Sequence, residues 1–210
     1  LALTLVSLAP LAATEQWPRF RGTQAGVVAD DPALPDTWSE TENVAWKTDI
    51  PGLGWSSPVV WGDHVFVTSA VSTGTEAKLI PGLYDPGDDQ GSVKSSVANK
   101  WMVYDVDFTT GKIRWATELR NGPPPIARHI KNTYASETAV TDGERVYVYM
   151  GTLGLLAALD MKGGIVWVRE LGALKGSSEY GSASSPTLHK GRLYLVNDNT
   201  TQSFIAAFDA

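Results

Sequence analysis

The sequence predicts an all-β fold: a β-propeller of four-stranded antiparallel blades, incomplete, with about two and a half blades plus one closing strand. Three observations lead there. Short apolar runs alternate with turn residues along the chain, and no stretch sustains a helical period. A unit of four such runs recurs in tandem. Each copy carries an aromatic residue in a fixed slot. Four short strands in a repeat of roughly 40–50 residues match the size of one propeller blade.

The clearest copy spans 135–171. It holds Val146-Tyr147-Val148-Tyr149, Leu155-Leu156-Ala157-Ala158-Leu159-Asp160 and Gly164-Ile165-Val166-Trp167-Val168, with hairpin signals at Asp142-Gly143 and Gly163-Gly164. Blade one is read at 56–119 and blade three at 182–210, cut short before its last strand. Val65-Phe66-Val67, Val146-Tyr147-Val148 and Leu193-Tyr194-Leu195 share one slot. Tyr104-Asp105, Leu159-Asp160 and Phe208-Asp209 are placed in a second, and the runs ending in Trp115 and Trp167 in a third. Blade one is longer because a polar, Gly/Ser/Asp-rich insertion occupies 71–100.

Ahead of the blades, residues 1–13 are apolar and end in small residues before a polar switch. They read as the later part of a secretory signal peptide, too short to span a bilayer. Residues 14–42 form an extended segment. It opens on Trp17-Pro18-Arg19-Phe20-Arg21-Gly22, expected to pack its rings on the domain. The partial propeller then runs over 43–210, and Asn43 to Thr48, with Trp46 in the slot of Trp115 and Trp167, is expected to be the closing strand of another blade. Closure removes bare sheet edges, so the strand count predicts the N-terminal part of a longer ring.

The repeated residues have physical roles. Gly111 and Gly164 are expected at positive φ in the hairpin before each outer strand, with Asp105 and Asp160 accepting backbone N–H groups across it. Asp209 is the third such Asp. A tryptophan between neighbouring blades buries roughly 150–250 Å², an upper bound of about 4–6 kcal/mol.

Tyr104-Asp105 … Thr110-Gly111-Lys112-Ile113-Arg114-Trp115 and its echo ending at Trp167 resemble the repeat of PQQ-binding-like β-propeller proteins. That superfamily includes quinoprotein alcohol dehydrogenases and BamB-like assembly lipoproteins. The opening Trp17 to Gly22, with Trp55-Ser56-Ser57-Pro58 and Asn197-Asp198-Asn199, is similar to an exported, BamB-like branch. The resemblance implies a periplasmic, cell-envelope or secreted protein, with PQQ and calcium as cofactors if it is a dehydrogenase. The chain departs from the enzymes in having no cysteine. It also shows no carboxylate cluster that matches theirs.

Charge and motifs narrow the function. Lys and Arg number 17 against 23 Asp and Glu, a net charge of −6. A mildly acidic chain without basic clusters argues against nucleic acid and anionic membrane surfaces as partners. The absence of cysteine excludes disulfides and thiolate chemistry within the segment. No Gly-x-Ser-x-Gly elbow, dinucleotide fingerprint or Walker loop occurs. Asp85-Pro86-Gly87-Asp88-Asp89-Gln90 offers oxygens to calcium but lacks EF-hand spacing, so a solvated acidic loop is the preferred reading.

Two polar sets remain as ligand-binding candidates. His129, Lys131, Asn132, Tyr134 and Glu137 precede an innermost strand, and Asn197, Asp198, Asn199 and Gln202 lie at a hairpin of blade three. The first set would face the axis or its mouth, and for both sets the competing role is capping of backbone groups. The sequence therefore predicts an exported scaffold that presents loops to a protein or small ligand. The alternative is a PQQ- and calcium-dependent dehydrogenase whose catalytic half lies outside this segment. Carbohydrate binding through exposed aromatics is a third reading.

Overall fold

The computed structural model describes residues 16–28, 32–75, 92–176 and 180–210. Alternating apolar runs bounded by Gly and Asp form β1 (Val59–Trp61), β2 (His64–Ser72), β3 (Ser92–Val93), β4 (Asn99–Asp107), β5 (Ile113–Gly122), β6 (Arg128–His129), β7 (Val140–Thr141), β8 (Arg145–Met150), β9 (Leu155–Asp160), β10 (Ile165–Glu170), β11 (Thr187–His189), β12 (Arg192–Asn197) and β13 (Phe204–Asp209). No helix occurs among the described residues. The sheets are antiparallel meanders in the orders β1-β2-β4-β5, β7-β8-β9-β10 and β11-β12-β13, with β3-β6 a small separate ribbon. These are the blades of a β-propeller.

Blade two is buried on both faces, because successive side chains of a strand point to opposite sides. Val146, Val148, Met150, Leu155, Ala157 and Leu159 pack with Phe66, Trp101 and Val103 of blade one. The intervening Tyr147, Tyr149, Leu156 and Ala158 pack with Leu193 and Leu195 of blade three. The blades thus stack face to face, and β8 and β9 need no polar face.

The meander separates two ends. At the base lie the turns β1–β2, β4–β5, β7–β8, β9–β10 and β11–β12. At the mouth lie the starts of the innermost strands β1, β7 and β11, the β8–β9 turn, the β12–β13 hairpin, and the connection between β2 and β4.

The base is organised by a repeated wedge. Trp46 Nε1 donates to Phe108 O at 2.8 Å, and Trp115 Nε1 donates to Met161 O at 3.0 Å. Two residues on, Thr48 and Thr117 donate to the carbonyls of Gly111 and Gly163. The indoles lie so close to these glycines that an added Cβ would meet Trp46 at 2.6 Å and Trp115 at 2.7 Å. Each tryptophan therefore spans from one blade's outer-strand slot to the next blade's β-turn.

A staple crosses the inner edges here. Trp17 and Val60 exchange two backbone hydrogen bonds of 2.9 Å, and Thr141 N donates to Pro18 O at 2.9 Å. Gly62 N donates to Gln16 Oε1 at 2.8 Å. Gly22, at φ 64, lets the chain fold back onto the Trp17 ring. Of the rings expected to pack, Phe20 instead stays 50% exposed, with Arg21 over its face.

Several expectations need correction. The Asp that caps the β4–β5 turn is Asp107, whose Oδ1 accepts from Thr109 N and Thr110 N; Asp105 lies two residues earlier, inside the sheet. In blade two Asp160 does cap, accepting from Lys162 N and Gly164 N. The register agrees, since Asp107, Asp160 and Asp209 stand opposite His64, Arg145 and Arg192. The positive-φ glycine of the β9–β10 turn is Gly163 (φ 84), not Gly164, because the chain reverses one residue earlier. Asn43 to Thr48 has no strand partner among the described residues, though Trp46 takes the wedge position expected of it. The insertion is shorter than 71–100, because Ser72 and Asn99 are already paired. Residues 1–13 and the acidic stretch Asp85 to Gln90 lie outside the described residues.

Candidate functional site

The mouth gathers the polar residues of both candidate sets. The strands deliver them there because the connections into β7 and β11 and the β12–β13 hairpin all open on that end. What each side chain does at the mouth differs.

Asn132 is tied to the backbone: its Nδ2 donates to Tyr180 O at 2.7 Å, and its Oδ1 accepts from Thr133 N at 2.8 Å. His129 accepts from Lys131 N through Nδ1 and meets the Tyr180 ring edge-on at 5.2 Å. The Lys131 side chain is half-buried. Asn199 accepts from Thr201 N and Gln202 N, donates to Gln202 O, and so closes its own loop. Asp198 accepts from Ser203 Oγ. Those of Asn199 and Asp198 are local, while Asn132 and His129 reach Tyr180 in the connection to blade three.

Tyr134 and Glu137 are different. Tyr134 is buried, with the Arg128 guanidinium 4.8 Å from its ring centroid and its carbonyl accepting from Trp101 Nε1 at 2.9 Å. Arg128 is itself buried and donates through Nη1 to the carbonyls of His129, Ile130 and Asn132. Both line a cavity of about 320 Å³ that also touches Leu53, Val71, Asn99 and Thr133. Leu53 stands half exposed at its rim, and Trp55, two residues on, is exposed.

Glu137 is wholly enclosed, and Gly151 N donates to its Oε1 at 3.0 Å. Burial pushes its carboxyl up to about 7, although Ser182 and backbone N–H groups pull the other way. The same burial raises Tyr149, whose hydroxyl accepts from Asn197 Nδ2 at 2.9 Å. Glu137 and Asn197, from different candidate sets, thus meet through Tyr149 at the seam of blades two and three. A second cavity of about 300 Å³ opens beside them, lined by Ser182, Ser184, Asn197 and Asp198.

One repeated feature escaped the sequence reading. Ser57 N donates to Thr138 Oγ1 at 2.9 Å, and Thr138 N donates to Ser185 Oγ at 2.9 Å. Hydroxyls in one slot of successive blades therefore satisfy the open inner edges that border the axis. The signal was a single Ser or Thr per repeat, visible once the strand register is known.

At the base, blade one carries a charged cluster of its own. Buried Asp105 accepts from His64 Nδ1 at 2.7 Å, where the other blades have Ala158 and Ala207. Burial raises the Asp105 carboxyl, with His64 opposing. Arg114 pairs with Asp63 and Asp107 and holds both carboxyls below the usual range. No group of three His, Cys, Asp or Glu able to hold a metal occurs among the described residues. No helix among them is long and apolar enough to cross a membrane.

Comparison with known proteins fits this architecture. The chain is similar in structure to quinohemoprotein alcohol dehydrogenase from Comamonas testosteroni, at 18% identity and a TM-score of 0.55, over 94% of this chain and 26% of that one. It therefore spans about a quarter of that enzyme's length. BamB from Moraxella catarrhalis matches at 20% identity and a TM-score of 0.25, over 77% of this chain and 60% of that one. No curated protein matches. Residues 25–210 match the family described as outer membrane protein assembly factor BamB. With blades, wedges and match in agreement over most of its length, the chain belongs to that BamB family of PQQ-like β-propellers.

Proposed function

We propose that the protein is an exported propeller scaffold whose mouth binds a protein partner or small ligand. The observation that carries this reading is the cavity of about 320 Å³ at the mouth, with mainly apolar walls and a few polar groups, Asn99, Thr133 and Tyr134 among them. Such a lining suits recognition: the apolar surface supplies affinity, and the convergent polar groups fix orientation. Leu53 and Trp55 extend the apolar surface onto the rim. The assembly-factor family supports a protein partner, and the apolar leader supports export.

PQQ and calcium, implied by the family resemblance, fit the described residues poorly. Calcium takes six to eight oxygens, usually with carboxylates among them. Glu137, the buried carboxyl at the mouth, has one oxygen engaged with Gly151, and no three acidic or His groups converge among the described residues. No catalytic step is derived from these groups.

The test is site-specific photo-crosslinking in cells making the full-length protein, from Leu53 or Trp55 at the rim and from Ile165 on the outer strand of blade two. Discrete adducts from the rim positions alone are expected. Adducts from Ile165 alone, or dye-linked alcohol oxidation by purified protein loaded with PQQ and calcium, would overturn the scaffold reading.

A further inference from the structure

The blades can be compared position by position, because Val59, Val140 and Thr187 pair with Phe66, Tyr147 and Tyr194 in one register. Just ahead of these pairs, one slot holds Ser56, Glu137 and Ser184. The two serines do the same thing. Thr68 N donates to Ser56 Oγ at 3.2 Å, and Ser184 Oγ donates to the carbonyl of Val196, which is Thr68's counterpart. Each ties the start of an innermost strand to the strand beside it. Blade two breaks the pattern with a carboxylate.

That carboxylate joins three pieces of chain. It leaves the start of β7, takes the N–H of Gly151 in the β8–β9 turn, and lies against Ser182 in the connection to blade three. Gly151 has no room for a side chain, since a Cβ there would fall on Ser182 Oγ and Glu137 Oε1. The same turn is bound to the connection by Leu171 N donating to Gly154 O at 2.6 Å. Glu137 Oε2 is buried and has no hydrogen-bond partner. The ionisable group that senses the carboxyl is Tyr149 on β8; Ser182 is an uncharged neighbour, and Thr68 Oγ1 on β2 donates to the Glu137 backbone carbonyl.

We propose that Glu137 is a proton-operated latch at the mouth. With its proton, the carboxyl holds the β8–β9 turn against the connection into blade three. Without it, the buried carboxylate puts charge on Oε2, which has no donor, and water reaches that oxygen only if the turn and connection part. Burial places the titration near neutral pH. The latch does not depend on what occupies the mouth, so it stands or falls separately from the scaffold reading.

Hydrogen exchange on the intact protein tests it, with rates corrected for the intrinsic effect of pH. Peptides covering 149–154 and 172–176 should lose at least about tenfold protection between pH 5.5 and 8.5 in the parent, while the base turn 161–164 keeps its protection. Glu137→Gln should abolish that loss. Glu137→Ser, which restores the residue of the other blades, should abolish it too and covers the case in which the Gln variant does not fold. Protection that is independent of pH in the parent, or an undiminished loss in a folded variant, overturns the latch.

Discussion

The wedge between blades one and two can be weighed by a double-mutant cycle on Trp115 and Gly163. Gly163→Ala has two costs. Its φ of 84 is left-handed, and an alanine there costs about 1–2 kcal/mol from the backbone alone. Its new Cβ would also sit 2.7 Å from the indole of Trp115, a rigid ring whose Nε1 is fixed on Met161 O. Displacing that ring should add about 1–3 kcal/mol, the usual range for overpacking. Trp115→Ala alone should cost about 3–5 kcal/mol, since the ring packs against the core of blades one and two. In the Trp115→Ala background the ring clash disappears, so Gly163→Ala should then cost its backbone share and whatever the 2.9 Å approach to Thr117 Oγ1 adds. The expected coupling is therefore about 1–3 kcal/mol, read from urea midpoints at constant slope. Additivity within about 0.5 kcal/mol would refute the wedge as the seam's main contact.

Other expectations follow from the same structure. The Glu137 carboxyl is raised in the folded state from 4.5 to about 7, so its stabilisation is complete below pH 4.5 and is lost as pH rises through 7. The full loss is about 3 kcal/mol, and thermal melts of Glu137→Gln should show a flatter pH profile than the parent. Thr138→Val removes the acceptor for Ser57 N and should lower stability by about 1–3 kcal/mol, with Ser185→Ala acting alike one blade further on. Asp160→Ala removes the cap on two N–H groups and should cost about 0.5–2 kcal/mol in denaturant melts. An unchanged midpoint would remove Asp160 from the turn's support.

The tandem four-strand unit was legible because strand periodicity and turn glycines repeat together. The misplacement of Asp105 shows where that legibility stops. Asp105 and Asp107 lie two apart on one strand and so share a face; periodicity cannot choose between them. The β4–β5 turn is also one residue longer, running from Asp107 to Lys112 where blade two needs only Asp160 to Gly164. Only the hydrogen bonds reveal that offset. At the candidate site, Asn132 and Asn199 carried the same signal as Glu137, a polar residue near a strand end. Burial separates them: Asn199 closes its own loop and Asn132 holds the Tyr180 carbonyl at the surface, whereas Glu137 is wholly enclosed. Sequence alone does not contain that burial.

The wedges, capped turns and N-terminal staple all lie at the base, so the connection between β2 and β4 at the opposite rim carries none of them. The hairpin from Ser72 to Asn99 is closed by a paired rung and already tolerates a long excursion. A foreign recognition loop inserted between Thr75 and Ser92 would keep that rung, the Thr73–Ala98 bond and the β3–β6 ribbon, and should be carried without disturbing the ring, making this position a natural port for grafting new specificity.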